Sequence, residues 1–275
     1  MLGKLYIVAT PIGNLEDITF RALNIIRNSD YILAESSART SKLFSRYNIK
    51  KKIITFNKDN EKKKCNTIIN NLEDGHTISL VTDAGTPSVS DPGYELIAKV
   101  TTKYPVIPIP GASSLTCALS VSTIPINNFI FLGFLPKKAN ERMKKIKEIS
   151  SNNIPMVIYE SKHRIKSLIK NIINIMGENT PIIIFRELTK IHESIKPYTA
   201  GKLLSDLTRK PPSGEITLII DKPYKTADPI ENCRKKIEIL LKQHSVSEVV
   251  SIIKLFTKYK KKELYKFVLK VRQEV

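Results

Sequence analysis

Over its first 125 residues the chain alternates short apolar runs with longer amphipathic ones, and this alternation narrows the possible folds more than any other feature. Lys4–Ala9, Tyr31–Glu35, Lys52–Phe56, Ile78–Thr82 and Val106–Ile109 read as strands. Ile18–Asn28, Arg39–Tyr47, Asp59–Leu72, Tyr94–Lys103 and Ser113–Val121 read as the helices between them. Strand and helix in strict turn predict a mostly parallel sheet covered on both faces, in the α/β class. The stretch Thr123–Asn128 (TIPINN) breaks the pattern, so residues 1–125 are expected to form one domain. Residues 126–221 read as a second α/β domain with a mixed sheet. Its strands fall near Phe129–Gly133, Met156–Tyr159, Ile182–Arg186 and Ile216–Ile220, and its helices near Ala139–Ser150 and Ile165–Met176. Asp221–Pro229 has the polar, proline-containing composition of a linker. Residues 230–275 then read as a small basic helical extension of three short helices. Ser245 and Glu248 there have the spacing of a capping box, and Val246–Phe256 with Glu263–Val271 suit a helical hairpin.

Composition limits the setting. Of 275 residues 41% are hydrophobic and 26% charged, enough apolar side chains for a sizeable core. Cys65, Cys117 and Cys233 show neither metal-ligand spacing nor a disulfide framework, which predicts a reducing, cytoplasmic location and no bound metal. The N-terminal apolar run LYIVA meets Pro11 and Gly13 too soon for a signal peptide, and no run is long enough to span a membrane. The formal charge of +19 suits a polyanionic partner. It also suits A/T-rich coding, given 35 lysines against 10 arginines and 40 isoleucines. Residues 222–275 hold 14 basic and 6 acidic side chains, net +8, against +11 for the 221 residues before them.

The common nucleotide fingerprints are missing: no G-x-G-x-x-G follows the first strand and no G-x-x-x-x-G-K-[ST] occurs anywhere. His76, His163, His192 and His244 are isolated from one another and from the cysteines. In their place stand three strand-end loops rich in glycine, proline and small polar residues: Ala9–Thr19, Val81–Gly93 and Pro108–Ser114. In an open α/β sheet, ligands sit outside the carboxyl ends of the strands, so three such loops predict one shared crevice. Gly13, Gly85 and Gly111 would let backbone approach a ligand. Asp83 would accept hydrogen bonds from an amino or hydroxyl group, and Ser113 and Ser114 would serve a carboxylate. Ordinary tight turns are the competing explanation.

The segments TPIGNLEDIT, VTDAGTPSVSDPG, PIPGASS, FLGFLPKK (131–138), YESKHR (159–164), RELTKIHE (186–193) and GEITLII (214–220) occur in that order. Together with the C-terminal KKKELYKFVL they resemble the bacterial ribosomal RNA small-subunit methyltransferase I family, a branch of the tetrapyrrole methylase (class III methyltransferase) superfamily. The resemblance implies two α/β domains with S-adenosylmethionine in the cleft between them, and a homodimer. It implies 2′-O-methylation of a cytidine in the decoding region of 16S ribosomal RNA, with the free RNA or the assembled small ribosomal subunit as partner and neither DNA nor membrane. By matching motifs, Ile12, Gly13, Asp83, Ala84, Thr86, Ser113, Ser114, Tyr159, Gly214, Glu215 and Thr217 would hold the cofactor. Lys137, Lys138, Lys162, His163 and Arg164 would grip RNA, with Lys260, Lys261 and Lys262 either helping or forming a solvated helix start. One motif departs from the family. Where relatives read A-E-D-T-R, this chain reads Ala34-Glu35-Ser36-Ser37-Ala38-Arg39, so Arg39 replaces the arginine only with a one-residue shift.

A ribose hydroxyl is a poor nucleophile at neutral pH, so an acceptor for its proton is expected. Glu35, at the end of the second strand, is the first candidate, with Glu160 and Glu187 in reserve; a structural ion pair is the competing role for each. Two other functions fit parts of the sequence. A methyltransferase acting on a tetrapyrrole precursor would share the cleft but not need the basic tail. A non-catalytic ribosome-binding protein would accommodate the altered AESSA motif.

Overall fold

The computed structural model describes residues 2–152, 154–221, 230–257 and 259–274. The expected linker 221–229 lies, apart from Asp221, outside the described residues. The chain falls into two compact units, Met1–Lys222 and Pro223–Val275.

In the first unit, five parallel strands form one sheet: β1 (Lys4–Val8), β2 (Tyr31–Ala34), β3 (Lys52–Thr55), β4 (Thr77–Val81) and β5 (Val106–Ile109), in the spatial order β3-β2-β4-β1-β5. Successive side chains of a strand point to opposite faces. Leu5, Ile7, Tyr31, Leu33, Ile78 and Leu80 therefore pack into one core, while Val8, Ile32, Ala34 and Val81 pack into another. Helices α3 (Glu61–Glu73) and α4 (Tyr94–Val100) bury Cys65, Ile68, Leu72, Leu96 and Val100 in the first core. Helices α1 (Phe20–Asn28) and α2 (Ser37–Arg46) bury Ala22, Leu23, Ile26, Leu43 and Phe44 in the second. A sheet covered on both faces is why these strands read as nearly unbroken apolar runs.

A second sheet follows helix α5 (Ser114–Ser120). Its strands β6 (Ile130–Phe134), β7 (Met156–Ser161), β8 (Pro181–Arg186), β9 (Ser194–Thr199) and β10 (Glu215–Ile220) lie in the order β6-β7-β10-β8-β9. Only β6 and β7 run parallel; the other pairs are antiparallel, which makes the sheet mixed. Its outer face packs on α6 (Ala139–Ser150), α7 (Ile165–Met176) and α8 (Ala200–Arg209) through Met156, Ile158, Ile182, Ile184, Leu218 and Ile220. Its inner face carries Val157, Ile183, Phe185 and Ile219, which pack against Ile12, Ala118 and Ile124. Strand β9 and helix α8 were not anticipated. Pro197 interrupts an otherwise plausible strand run, and it is tolerated because β9 is the sheet's edge and needs no ladder donor on its outer side.

The second unit holds α9 (Arg234–Leu241), α10 (Val246–Phe256) and α11 (Lys261–Glu274) around Ile237, Val249, Val250, Ile253, Leu264, Val268 and Val271. The capping box is formed: Ser245 Oγ accepts from Glu248 N at 3.4 Å, and Glu248 Oε2 accepts from Ser245 N at 2.8 Å. Among the described residues, no helix is long and apolar enough to cross a membrane.

Candidate cofactor and substrate cleft

The strand order brings the three loops together. Strands β4, β1 and β5 are neighbours, so the segments that leave their carboxyl ends emerge side by side. Thr10 fastens two of them. Its N–H donates to Gly85 O at 2.8 Å, Gly85 N–H donates back to Thr10 O at 3.0 Å, and Thr10 Oγ1 donates to Thr82 O at 3.0 Å. Gly85 makes this possible at a φ of +88°, where an L side chain is strained. Four of the five non-glycine residues with positive φ among the described residues also flank the cleft, Ser88 and Ser90 on this side and Glu187 and Thr189 on the other. Backbone strain of this kind gathers where a ligand site over-determines the chain.

The result is a cleft of about 660 Å3 between the carboxyl ends of the first sheet and the inner face of the second. It is lined by Ile12, Asp83, Ala84, Thr86, Ser113, Ser114, Tyr159, Gly214, Glu215 and Thr217, so ten of the eleven residues expected at the cofactor meet in one place. Gly13 lies outside the lining: a Cβ there would meet Lys190 Cγ at 2.5 Å, Thr189 Oγ1 at 2.7 Å and Leu188 O at 2.9 Å. Its role in the geometry is to let the first loop close against the 188–190 segment, where Asn14 N–H donates to Thr189 Oγ1 at 3.0 Å. Tyr159 reaches across from β7. Phe131 and Phe134 pack edge-on against its ring at 5.0 and 5.7 Å. Burial pushes its phenol pKa up, and hydrogen bonds from Ser114 and the Leu115 amide act the other way.

The first-sheet wall is rich in carboxylates. Because β2 is hydrogen-bonded to β4, Glu35 at the end of β2 stands beside Thr82, whose Oγ1 donates to Glu35 Oε2 at 3.0 Å. Asp83 Oδ2 pairs with Arg39 Nη1 at 3.1 Å, while Asp83 Oδ1 is buried without a hydrogen-bond partner among the described residues. Burial and the Glu35 charge raise the Asp83 pKa; Arg39 and the Ser36 amide oppose the shift. Ser36 caps α2, accepting from Arg39 N at 3.4 Å, and the next turn delivers the Arg39 guanidinium to Asp83. Asp91 belongs to the same wall and was overlooked in the sequence, although it sits in the quoted loop. Burial first, then the Glu35 charge, push its pKa up to about 6, against a hydrogen bond with Thr82 and the charge of Lys58.

The reserve carboxylates are tied into structure. Glu160 lines the cleft but is 2% exposed; its Oε1 accepts from Ser161 N–H at 2.8 Å, and its Oε2 stands 3.3 Å from Arg164 Nη2. Burial raises its pKa, opposed by Ser161, Arg164 and Arg142. Glu187 lies outside the lining and braces the start of β10. Its Oε1 accepts from Glu215 N–H at 2.8 Å and Lys190 Nζ at 2.9 Å. Burial would raise the Glu187 pKa, but Lys190 and the Glu215 amide outweigh it and hold the carboxyl below its ordinary value.

The residues expected to grip RNA separate into groups. Lys162 and His163 line the cleft at an exposed corner. Lys137 and Lys138 are exposed beyond β6, with Lys138 Nζ 3.2 Å from Glu141. Arg164 is engaged within the protein, Nη2 donating to Leu135 O at 2.7 Å and Pro136 O at 3.1 Å. Arg142 joins it from α6, Nη1 donating to Lys137 O at 3.2 Å, so two guanidiniums hold the backbone that presents Lys137 and Lys138. Lys260, Lys261 and Lys262 are exposed at the start of α11 in the second unit.

The fold and this cleft define a methylase: the family of tetrapyrrole (corrin/porphyrin) methylases matches residues 4–204. Among solved structures, uroporphyrin III C-methyltransferase from Thermus thermophilus has the same fold, with a TM-score of 0.59 at 12% identity over 79% of this chain and 97% of that one. Ribosomal RNA small subunit methyltransferase I of Buchnera aphidicola subsp. Schizaphis graminum is 40% identical over 99% of this chain and 98% of its own length. The protein of that name from Thermotoga maritima is 42% identical over 80% of this chain and 98% of its own length. This chain belongs to the ribosomal RNA small subunit methyltransferase I family of tetrapyrrole methylases, a family of S-adenosylmethionine-dependent methyltransferases.

Proposed function

We propose that the chain methylates small-subunit ribosomal RNA, and that its target is the 2′-hydroxyl of a cytidine ribose in the decoding region of the 16S molecule. The observation that carries this reading is the convergence of the three first-sheet loops with Tyr159 and Gly214–Thr217 on one cleft, in a chain 40% identical over nearly its full length to a relative named for that RNA.

The residues fit the cofactor. Asp83 Oδ1 is a buried acceptor without a partner among the described residues, and an amino or ribose hydroxyl group would satisfy it. The Gly85 turn leaves room for backbone contact, and the cleft volume lies within the roughly 300–1,000 Å3 of small-molecule sites. Ile12, Ala84 and Thr86 would enclose the cofactor from the first sheet, Ser113 and Ser114 would bind its carboxylate, and Tyr159 with Gly214, Glu215 and Thr217 would close the far side. When bound, S-adenosylmethionine supplies an electrophilic methyl group.

The chain's own contribution is to place the ribose oxygen in line with that methyl, at about 3–3.5 Å, and to keep water out. Lys162 and His163 at the cleft corner, with Lys137 and Lys138 beyond β6, would hold phosphates of a splayed nucleotide. Glu35, which keeps one carboxylate oxygen free of Thr82, would take the hydroxyl proton.

Labelled S-adenosylmethionine supplied with small subunits from a strain lacking this activity, followed by mapping of the modified ribose, tests the assignment. A label on uroporphyrinogen and none on the subunits would replace it with tetrapyrrole chemistry; cofactor binding absent by calorimetry would favour a non-catalytic ribosome-binding protein. For the proton acceptor, Glu35→Gln should lower turnover far more than cofactor affinity, and a variant with undiminished turnover would remove Glu35 from the role.

A further inference from the structure

The outer face of the second sheet carries another hollow, of about 580 Å3, which none of the cofactor residues enters. Cross-strand register builds its floor: Ile184 faces Lys196 and Arg186 faces Ser194 across the β8–β9 pair. The end of α8 and the segment 209–213 form its wall. At its base lie Leu203 and Leu207, which are buried.

Four permanent cations line this hollow, Arg186, Lys196, Arg209 and Lys210, against one carboxylate, Asp206. That carboxylate already accepts a hydrogen bond from the Tyr198 phenol, whose pKa rises through burial and the Asp206 charge. Arg186 is held in place: Nη1 donates to Ser213 Oγ at 3.0 Å, Nη2 to His192 O at 3.2 Å and Nε to Ser194 Oγ at 3.4 Å. Lys196, Arg209 and Lys210 are exposed and form no ion pair among the described residues. Cations concentrated in a concavity without internal partners repel one another unless an anion joins them.

The hollow also adjoins the cleft. Ser213 lines the hollow, and Gly214 and Glu215, the next residues, line the cleft, so one turn of backbone separates the two. Resting on the RNA substrate proposed above, we infer that this hollow is a second binding site for that substrate, receiving the phosphate backbone of a single-stranded segment that continues from the target nucleotide over the Ser213–Gly214 lip. The cations take the phosphates, and the apolar base with Tyr198 takes a sugar or base face. A chain so held at two points on either side of the lip is fixed in register with the methyl donor.

The triple variant Lys196→Ala/Arg209→Ala/Lys210→Ala tests this, because all three side chains are exposed and none belongs to the cleft. Binding to small ribosomal subunits is measured across a salt series, with cofactor affinity measured beside it. Loss of three single-strand phosphate contacts should make the slope of log K against log salt shallower by about 2 and leave cofactor affinity unchanged. The charge-preserving variant Lys196→Arg/Arg209→Lys/Lys210→Arg should keep the parent slope. A triple variant with the parent slope overturns the inference, as does one whose only defect is the dissociation of a dimer, which would make the hollow a contact between copies. A parent chain that binds subunits with no salt dependence refutes the RNA reading itself, a result distinguishable from either.

Discussion

The two walls of the cleft are built from the same kinds of element but carry different chemistry. The first-sheet wall presents Glu35, Asp83 and Asp91 at the ends of parallel strands, with Arg39 as their near counter-charge. The second-sheet wall presents Tyr159, Thr217 and the Gly214–Glu215 backbone, with Lys162 and His163 at its corner. Burial first, and then the neighbouring Glu35 charge, makes Asp83 and Asp91 costly to keep ionised and raises both their pKa values. Such a wall suits a cationic donor and a proton to be removed. The opposite wall also carries Glu160 and Glu215, and Lys162 places a cation at its exposed corner.

Asp83 carries most of the difference between the walls. Asp83→Ala removes the unpartnered acceptor, and a hydrogen bond involving a charged group contributes roughly 1.5–3 kcal/mol, so cofactor affinity by calorimetry should fall about 10- to 100-fold. Unchanged affinity would detach the acidic wall from the cofactor. The second wall is tested at Gly214, whose φ is +83° and whose Cβ would collide with the Glu187 carboxyl. Gly214→Ala should cost about 1–3 kcal/mol in denaturant unfolding. Gly177→Ala, at a φ of +93° with nothing within 4 Å, supplies the strain without the collision and should cost less. Equal losses would show that Glu187 yields freely.

A finer test uses pH. The folded Asp91 pKa of about 6 lies above its ordinary 3.8, so its contribution to stability is fully present below about pH 4 and is lost as pH rises through about 6. Unfolding midpoints of the parent should therefore drop relative to Asp91→Asn across that window, and parallel curves would place Asp91 in open solvent. The smallest effect belongs to the cationic corner. Lys162→Ala should reduce the salt slope of RNA binding by about 0.7–0.9, without changing cofactor affinity. The same measurement on Lys260→Ala/Lys261→Ala/Lys262→Ala decides between a phosphate grip, which shifts the slope by about 2, and a solvated helix start, which does not shift it.

Much of the site was legible because loops that need glycine, proline and small polar side chains declare themselves locally. Val81–Gly93, which lines the cleft, stood out by composition before any neighbour was known. Asp91, within it, could not be singled out, because its raised pKa comes from burial beside Glu35, a residue 56 positions earlier in the chain. Glu187 looked like a reserve base as a carboxylate in a conspicuous motif. Its hydrogen bonds to Glu215 N–H and Lys190 make it a brace instead. Arg164 looked like an RNA contact and donates to the Leu135 and Pro136 carbonyls.

Most strands, helices and turns, β9 and α8 excepted, follow from local signals, since apolar period, capping residues and left-handed glycines act over a few residues. The capping box at Ser245 and Glu248 follows for the same reason. Which strand ends are neighbours emerges only on folding. The order β3-β2-β4-β1-β5 sets Glu35 against Thr82, and the insertion of β10 between β7 and β8 sets Gly214 over Glu187. Those adjacencies depend on crossovers that bring together residues far apart along the chain, and electrostatics acts through space, so the charges and proton affinities of the cleft arise only once the sheets have formed.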